Sequence, residues 1–171
     1  MIRTAVFALL LAACLPALAQ AVPECALGKA AYRPVADSGD EEADYRAEMR
    51  AATPLAGNMP PLVLVMQRQS TGTRYSFRFH APNGYGRYTV GLAPGDDKTR
   101  RRRKDDAEGP TSTALFFDAA LKRIEPLFEE SARAPAYMLL PDLGLGFWYW
   151  PPAGRTFVPP AGLWRLSGCL S

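Results

Sequence analysis

Strict alternation is the feature that most constrains this chain. From Thr73 to His80 the aromatic residues Tyr75, Phe77 and Phe79 fall on one side. Arg74, Ser76, Arg78 and His80 fall on the other. A period of two is the signature of a half-buried strand, because successive side chains of a strand point to opposite faces. Arg87 to Leu92 repeats it, with Tyr88, Val90 and Leu92 against Arg87, Thr89 and Gly91. The apolar run Leu62 to Gln67 precedes both, and turns at Ser70-Thr71-Gly72 and Pro82-Asn83-Gly84 separate the three. They predict an antiparallel meander with one aromatic core face and one wet, basic face.

The remaining segments fill out the same class. Sixteen prolines in 171 residues favour turns over a helical bundle. Ala31 to Ala36 predicts a short strand that Pro34 confines to an edge. Tyr137 to Leu140, Gly146 to Trp150 and Leu163 to Leu166 predict three more strands. Asp40 to Ala52, acidic at its start and rich in helix formers, predicts a short helix. Residues 113–128 stay open: Phe117, Leu121, Ile124 and Phe128 have helical spacing, whereas Pro126 interrupts and Ala114 to Phe117 suits a strand. Residues 94–110, with no large apolar side chain, read as a charged flexible loop. The expected fold is α+β and β-rich. It is one antiparallel-sheet domain, a meander or a small barrel or sandwich, with one or two short helices and one disulfide.

The first nineteen residues read as a signal peptide. Arg3 supplies the positive start, Thr4 to Leu15 the apolar run, and Ala17-Leu18-Ala19 the small residues a signal peptidase requires. Cleavage after Ala19, or after Ala21, leaves a single domain over residues 20–171. The apolar run is shorter than the ~20 residues that span a bilayer, so no transmembrane anchor is expected in the mature chain. Leu11-Ala12-Ala13-Cys14 is the alternative, a lipobox that would attach lipid to Cys14. Either route places the protein outside the cytoplasm, periplasmic or secreted. The two cysteines then left, Cys25 and Cys169, have one way to pair in an oxidising compartment.

Motifs for chemistry are few. The chain has no G-x-S-x-G elbow, Walker loop, H-E-x-x-H or C-x-x-C pair, and a single histidine, so no catalytic set, metal site or cofactor is expected. Asp118 and Asp142, flanked by apolar residues, are the two carboxylates a small hydrolase would need. Binding has stronger candidates. Arg74, Arg78 and Arg87 share the polar sheet face, and residues 98–104 (KTRRRRK) add a basic run offset by neighbouring acids. Export argues against nucleic acid as the partner and for an anionic envelope component. Phe147-Trp148-Tyr149-Trp150 carries more aromatic surface than one strand face can bury. Trp148 and Trp150 are therefore candidates for stacking on a glycan or a proline-rich peptide, unless residues 151–160 cover them.

Thr71-Gly72-Thr73-Arg74-Tyr75 resembles the S-G-x-x-Y loop of the envelope C-type lysozyme inhibitors, with threonine in place of that family's serine. The resemblance implies a small disulfide-linked β-barrel whose loop enters a lysozyme cleft, with Thr71 and Tyr75 as contacts. The function expected is an exported envelope binding or structural module without catalysis, its partner an envelope component or protein. A carboxylate-dependent hydrolase and a lysozyme-inhibitor-like protein are the alternatives. Oligomeric state has no signature in the sequence.

Overall fold

A computed structural model describes residues 22–35, 43–53, 60–81, 87–93, 109–150 and 157–171. The signal segment, the turn at Pro82-Asn83-Gly84 and the basic run at 98–104 lie outside the described residues. Ten strands form one antiparallel sheet: β1 (Ala30–Pro34), β2 (Tyr45–Ala51), β3 (Leu62–Arg68), β4 (Arg74–His80), β5 (Thr89–Leu92), β6 (Thr111–Thr113), β7 (Leu115–Phe117), β8 (Arg123–Ile124), β9 (Tyr137–Leu139) and β10 (Leu163–Cys169). Their order across the sheet is β6-β5-β4-β3-β2-β1-β10-β9-β7-β8.

The two margins of this ladder meet in one stretch of chain. Thr111 to Phe117 is β6 and β7 with Ala114 between them; β6 pairs with β5, and β7 with β9. Ala114 donates its N–H to Tyr88 and Asp118 donates its own to Lys122. Residues four apart in a strand point their N–H groups to the same side, so β5 and β8 share one side and β9 takes the other. The sheet therefore curls round as a half-barrel whose margins are joined through this stretch.

Burial follows the alternation. The interior holds Tyr32, Ala47, Met49, Leu62, Leu64, Met66, Phe77, Phe79, Val90, Phe116, Met138, Trp164 and Leu166. The expected meander is β3, β4 and β5, with Phe77 and Phe79 inward and Arg74, Ser76, Arg78 and His80 on the outer face. Cys25 and Cys169 form the expected disulfide, their Cα atoms 5.6 Å apart. It lies at the end of the barrel where β1 starts and β10 finishes.

Three expectations are corrected and one open alternative is decided. Residues 45–51 are a strand, not a helix: β2 is laddered along its whole length to β3 and in part to β1. Residues 143–148 are a helix, α1 (Leu143–Trp148), not a strand. β1 lies inside the sheet, not at an edge. Pro34 is accommodated because the pairing to β2 ends at Tyr32, whereas that to β10 continues to Pro34↔Trp164. Residues 113–128, open between helix and strand in the sequence, contain β7 and β8, joined by a turn in which Leu121 takes a left-handed φ of 60°.

α1 fills the barrel end opposite the disulfide. Phe147 packs on Tyr75 and Phe77, and Trp150 and Phe157 complete the cluster around Tyr75. Gly144 is required for this seat, since a Cβ there would collide with the Pro159 carbonyl. Among the described residues, no helix is long and apolar enough to cross a membrane.

Candidate functional site

The outer face of β2, β3 and β4 is a grid three residues wide. Register aligns Arg46, Gln67 and Arg74 in one row, Glu48, Val65 and Ser76 in the next, and Arg50, Val63 and Arg78 in the third. Each of these residues lies on the face opposite the buried Ala47, Leu64 and Phe77. Guanidinium side chains therefore occupy all four corners, around one carboxylate. Strand spacing and rise put the corners about 10 Å apart across the strands and about 14 Å along them.

Glu48 organises one side of the grid. Its Oε1 takes Arg46 Nε at 2.9 Å. Its Oε2 takes Arg50 Nε at 2.9 Å and Arg50 Nη2 at 2.6 Å. The Glu48 side chain is only 14% exposed, whereas Arg46 is 34% and Arg50 57% exposed. The carboxylate lies low between two outward-reaching arginines. Arg46, Glu48, Arg50, Val65, Gln67, Arg74 and Ser76 together line a concavity of about 190 Å³. Its chemistry is that of a hydrogen-bond donor set with net positive charge, suited to an anion.

Of the basic residues proposed from sequence, Arg74 is exposed at the mouth of this concavity. Arg78 occupies the far corner, where both terminal nitrogens donate to the Thr53 carbonyl at 3.3 Å. That contact ties it to the chain leaving β2. Arg87 is exposed just before β5, at the end of the sheet away from Arg74. His80 stands opposite Thr89 on the outer face.

The two tryptophans separate. Trp150 is buried to 8% exposure against Tyr75 and Phe147. Trp148 is 47% exposed and shares the outer side of α1 with Leu145 and Tyr149. The two aspartates separate as well. Asp118 Oδ1 accepts the N–H groups of Ala120 and Lys122, both at 2.9 Å, and so holds the β7–β8 turn. Asp142 precedes α1 at the other end of the barrel. They do not face each other across one site. Among the described residues, no three His, Cys, Asp or Glu side chains gather as metal ligands.

The β3–β4 hairpin also divides its two candidate contacts. Gly72 takes φ 68°, and the Thr71 hydroxyl accepts the Thr73 N–H at 3.3 Å. Asp44 anchors the loop by accepting the Ser70 N–H and hydroxyl and Arg68 Nε. Those Ser70 and Arg68 bonds hold its carboxyl below the ordinary value. Thr71 is exposed on this loop, but the Tyr75 ring turns inward onto Phe157 and Phe147.

Arg46, Glu48 and Arg50 were not among the residues singled out from sequence. A helical reading of 40–52 keeps Arg46 and Arg50 on one face and turns Glu48 to the other; a strand collects all three on one face. The available signal was the alternation of Tyr45, Ala47 and Met49 with Arg46, Glu48 and Arg50. Comparison with protein-family models, with curated proteins and with solved structures finds no match to this chain.

Proposed function

We propose that this chain is an exported envelope protein that binds an anionic partner through the outer face of β2–β4, acting by recognition and not by catalysis. The observation that carries this reading is the grid: four arginines at the corners of a small area with a single carboxylate among them. Holding like charges together on a surface is unfavourable, and an anion relieves it. The signal-like start of the sequence supports an envelope location, where lipid head groups and acidic polysaccharides are the abundant anions.

The test is retention of the mature protein on immobilised heparin. The expected result is binding that weakens steeply with salt, as for any exposed charge pairing. Arg46→Ala combined with Arg74→Ala should weaken it severalfold. Changing Arg100, Arg101, Arg102 and Arg103 to glutamine should leave it largely intact. Loss of retention in the second variant alone would move the site to the basic run and sink the sheet-face reading.

A further inference from the structure

Resting on that reading, the geometry points to a seat for one tetrahedral oxyanion, a phosphate or sulfate ester group, between Arg46, Arg50 and Arg74, with Glu48 as its positioning residue. The concavity has the scale of a single charged group, not of a polymer groove, at about 190 Å³. Its rim offers guanidinium donors from two flanking strands, while Gln67 and Ser76 line it alongside Val65. A planar carboxylate satisfies one guanidinium fork with its two oxygens. A tetrahedral ester has three terminal oxygens, directed apart, and so meets donors arriving from several sides.

Glu48 gives this donor set its order. It takes Nε of Arg46, and Nε and Nη2 of Arg50, so both terminal nitrogens of Arg46 and Nη1 of Arg50 stand outside these bonds as further donors. A long arginine side chain normally loses rotamer freedom when it takes a ligand. Here the low-lying carboxylate has already fixed two of the three. The same carboxylate opposes the incoming anion by charge, so the two roles of Glu48 predict opposite signs for its removal.

That opposition supplies the experiment. Wild-type mature protein is titrated with inorganic phosphate, inorganic sulfate and acetate, with binding followed by NMR shifts of the β2–β4 amides. The expected result is saturable binding of phosphate and sulfate and much weaker binding of acetate. Glu48→Gln should weaken phosphate binding about tenfold despite removing a negative charge. Arg50→Lys, which keeps the charge and loses the fork, should weaken it as well. Tighter or unchanged binding in Glu48→Gln would overturn the positioning role, and equal binding of acetate would overturn the tetrahedral seat.

Two further arms separate source and premise. Mixed phosphatidylcholine–phosphatidic acid vesicles present a phosphate monoester, with its three terminal oxygens, as a lipid head group. Glu48-dependent binding to them assigns the ester to lipid, whereas Glu48-dependent binding of free phosphate alone assigns it to a soluble ester. Heparin retention that persists without any phosphate or sulfate binding overturns the seat and leaves the anionic-partner reading standing. Loss of both brings down that reading too.

Discussion

Two segments of this chain exchange their local preferences. β2 is written in alanine, glutamate, methionine and arginine, all good helix formers, and is a strand. α1 sits in a stretch of glycine, phenylalanine, tryptophan and tyrosine, which suits strands or turns, and is a helix. Periodicity separates them where propensity fails. In β2 the buried residues are Tyr45, Ala47 and Met49, a spacing of two. Around α1 they are Leu143, Gly144, Phe147 and Trp150, while Leu145, Trp148 and Tyr149 are exposed, a spacing of three and four. Propensities differ by less than about 1 kcal/mol per residue, and burying one large side chain outweighs that. The pattern of what must be buried decides the backbone.

This comparison can be broken most directly at Phe147. Its ring has no exposure and meets Tyr75, Phe77, Trp150 and Phe157. Phe147→Ala should therefore cost about 3–5 kcal/mol in chemical denaturation. A cost below about 1 kcal/mol would mean that α1 is not held by this contact. Met49→Ala is the matching test in β2. Met49 is fully buried, and truncation should cost about 2–5 kcal/mol, although a helical β2 segment would tolerate it.

Gly144→Ala sharpens the helix side. In a free helix the change is favourable, because alanine is the better helix former. Here the added methyl meets the Pro159 carbonyl, so a loss of about 1–3 kcal/mol is expected. A stabilised Gly144→Ala protein would show that α1 is not packed against the segment leading into β10.

A smaller effect is expected at the start of β2. Asp44 is held below its ordinary value of 3.8 by the Ser70 hydroxyl and Arg68. A lowered carboxyl contributes stability above its unfolded value and loses it as pH falls through the folded one. The melting temperature of wild type should exceed that of Asp44→Asn at neutral pH. The difference should shrink as the pH drops below about 4. A difference that grows on acidification would contradict the Asp44–Ser70–Arg68 arrangement. Trp148→Ala closes the series, with an expected change of about 1 kcal/mol or less, since about half of this side chain is exposed. Acrylamide should quench Trp148 in preference to Trp150 and Trp164, which are buried.

Much of the sheet is legible in the sequence. β3, β4 and β5 follow from alternation and turn residues, and the Cys25–Cys169 pair from a count of cysteines and the export that the signal-like start predicts. The candidate site was legible only in part. Arg74 and Arg78 were visible on the polar face of β4, but their partners on β2 were hidden by a segment whose composition favours helix. Trp148 and Trp150 were visible as excess aromatic surface, although which one is buried depended on the helical turn of α1.

By itself the sequence determined which side chains must leave water and in what period, because burial is dictated by side-chain chemistry and spacing. It thereby determined a β-rich sheet with a polar, arginine-bearing outer face. Only the tertiary structure decided which strands lie side by side. Closure of the ladder through Thr111 to Phe117 joins residues far apart in the chain, and the register of β2 on β3 and β4 places Arg46, Glu48 and Arg50 beside Arg74. Backbone hydrogen bonds are the same for every sequence, so pairing is selected by how whole faces pack. That choice belongs to the assembled core and to no single segment.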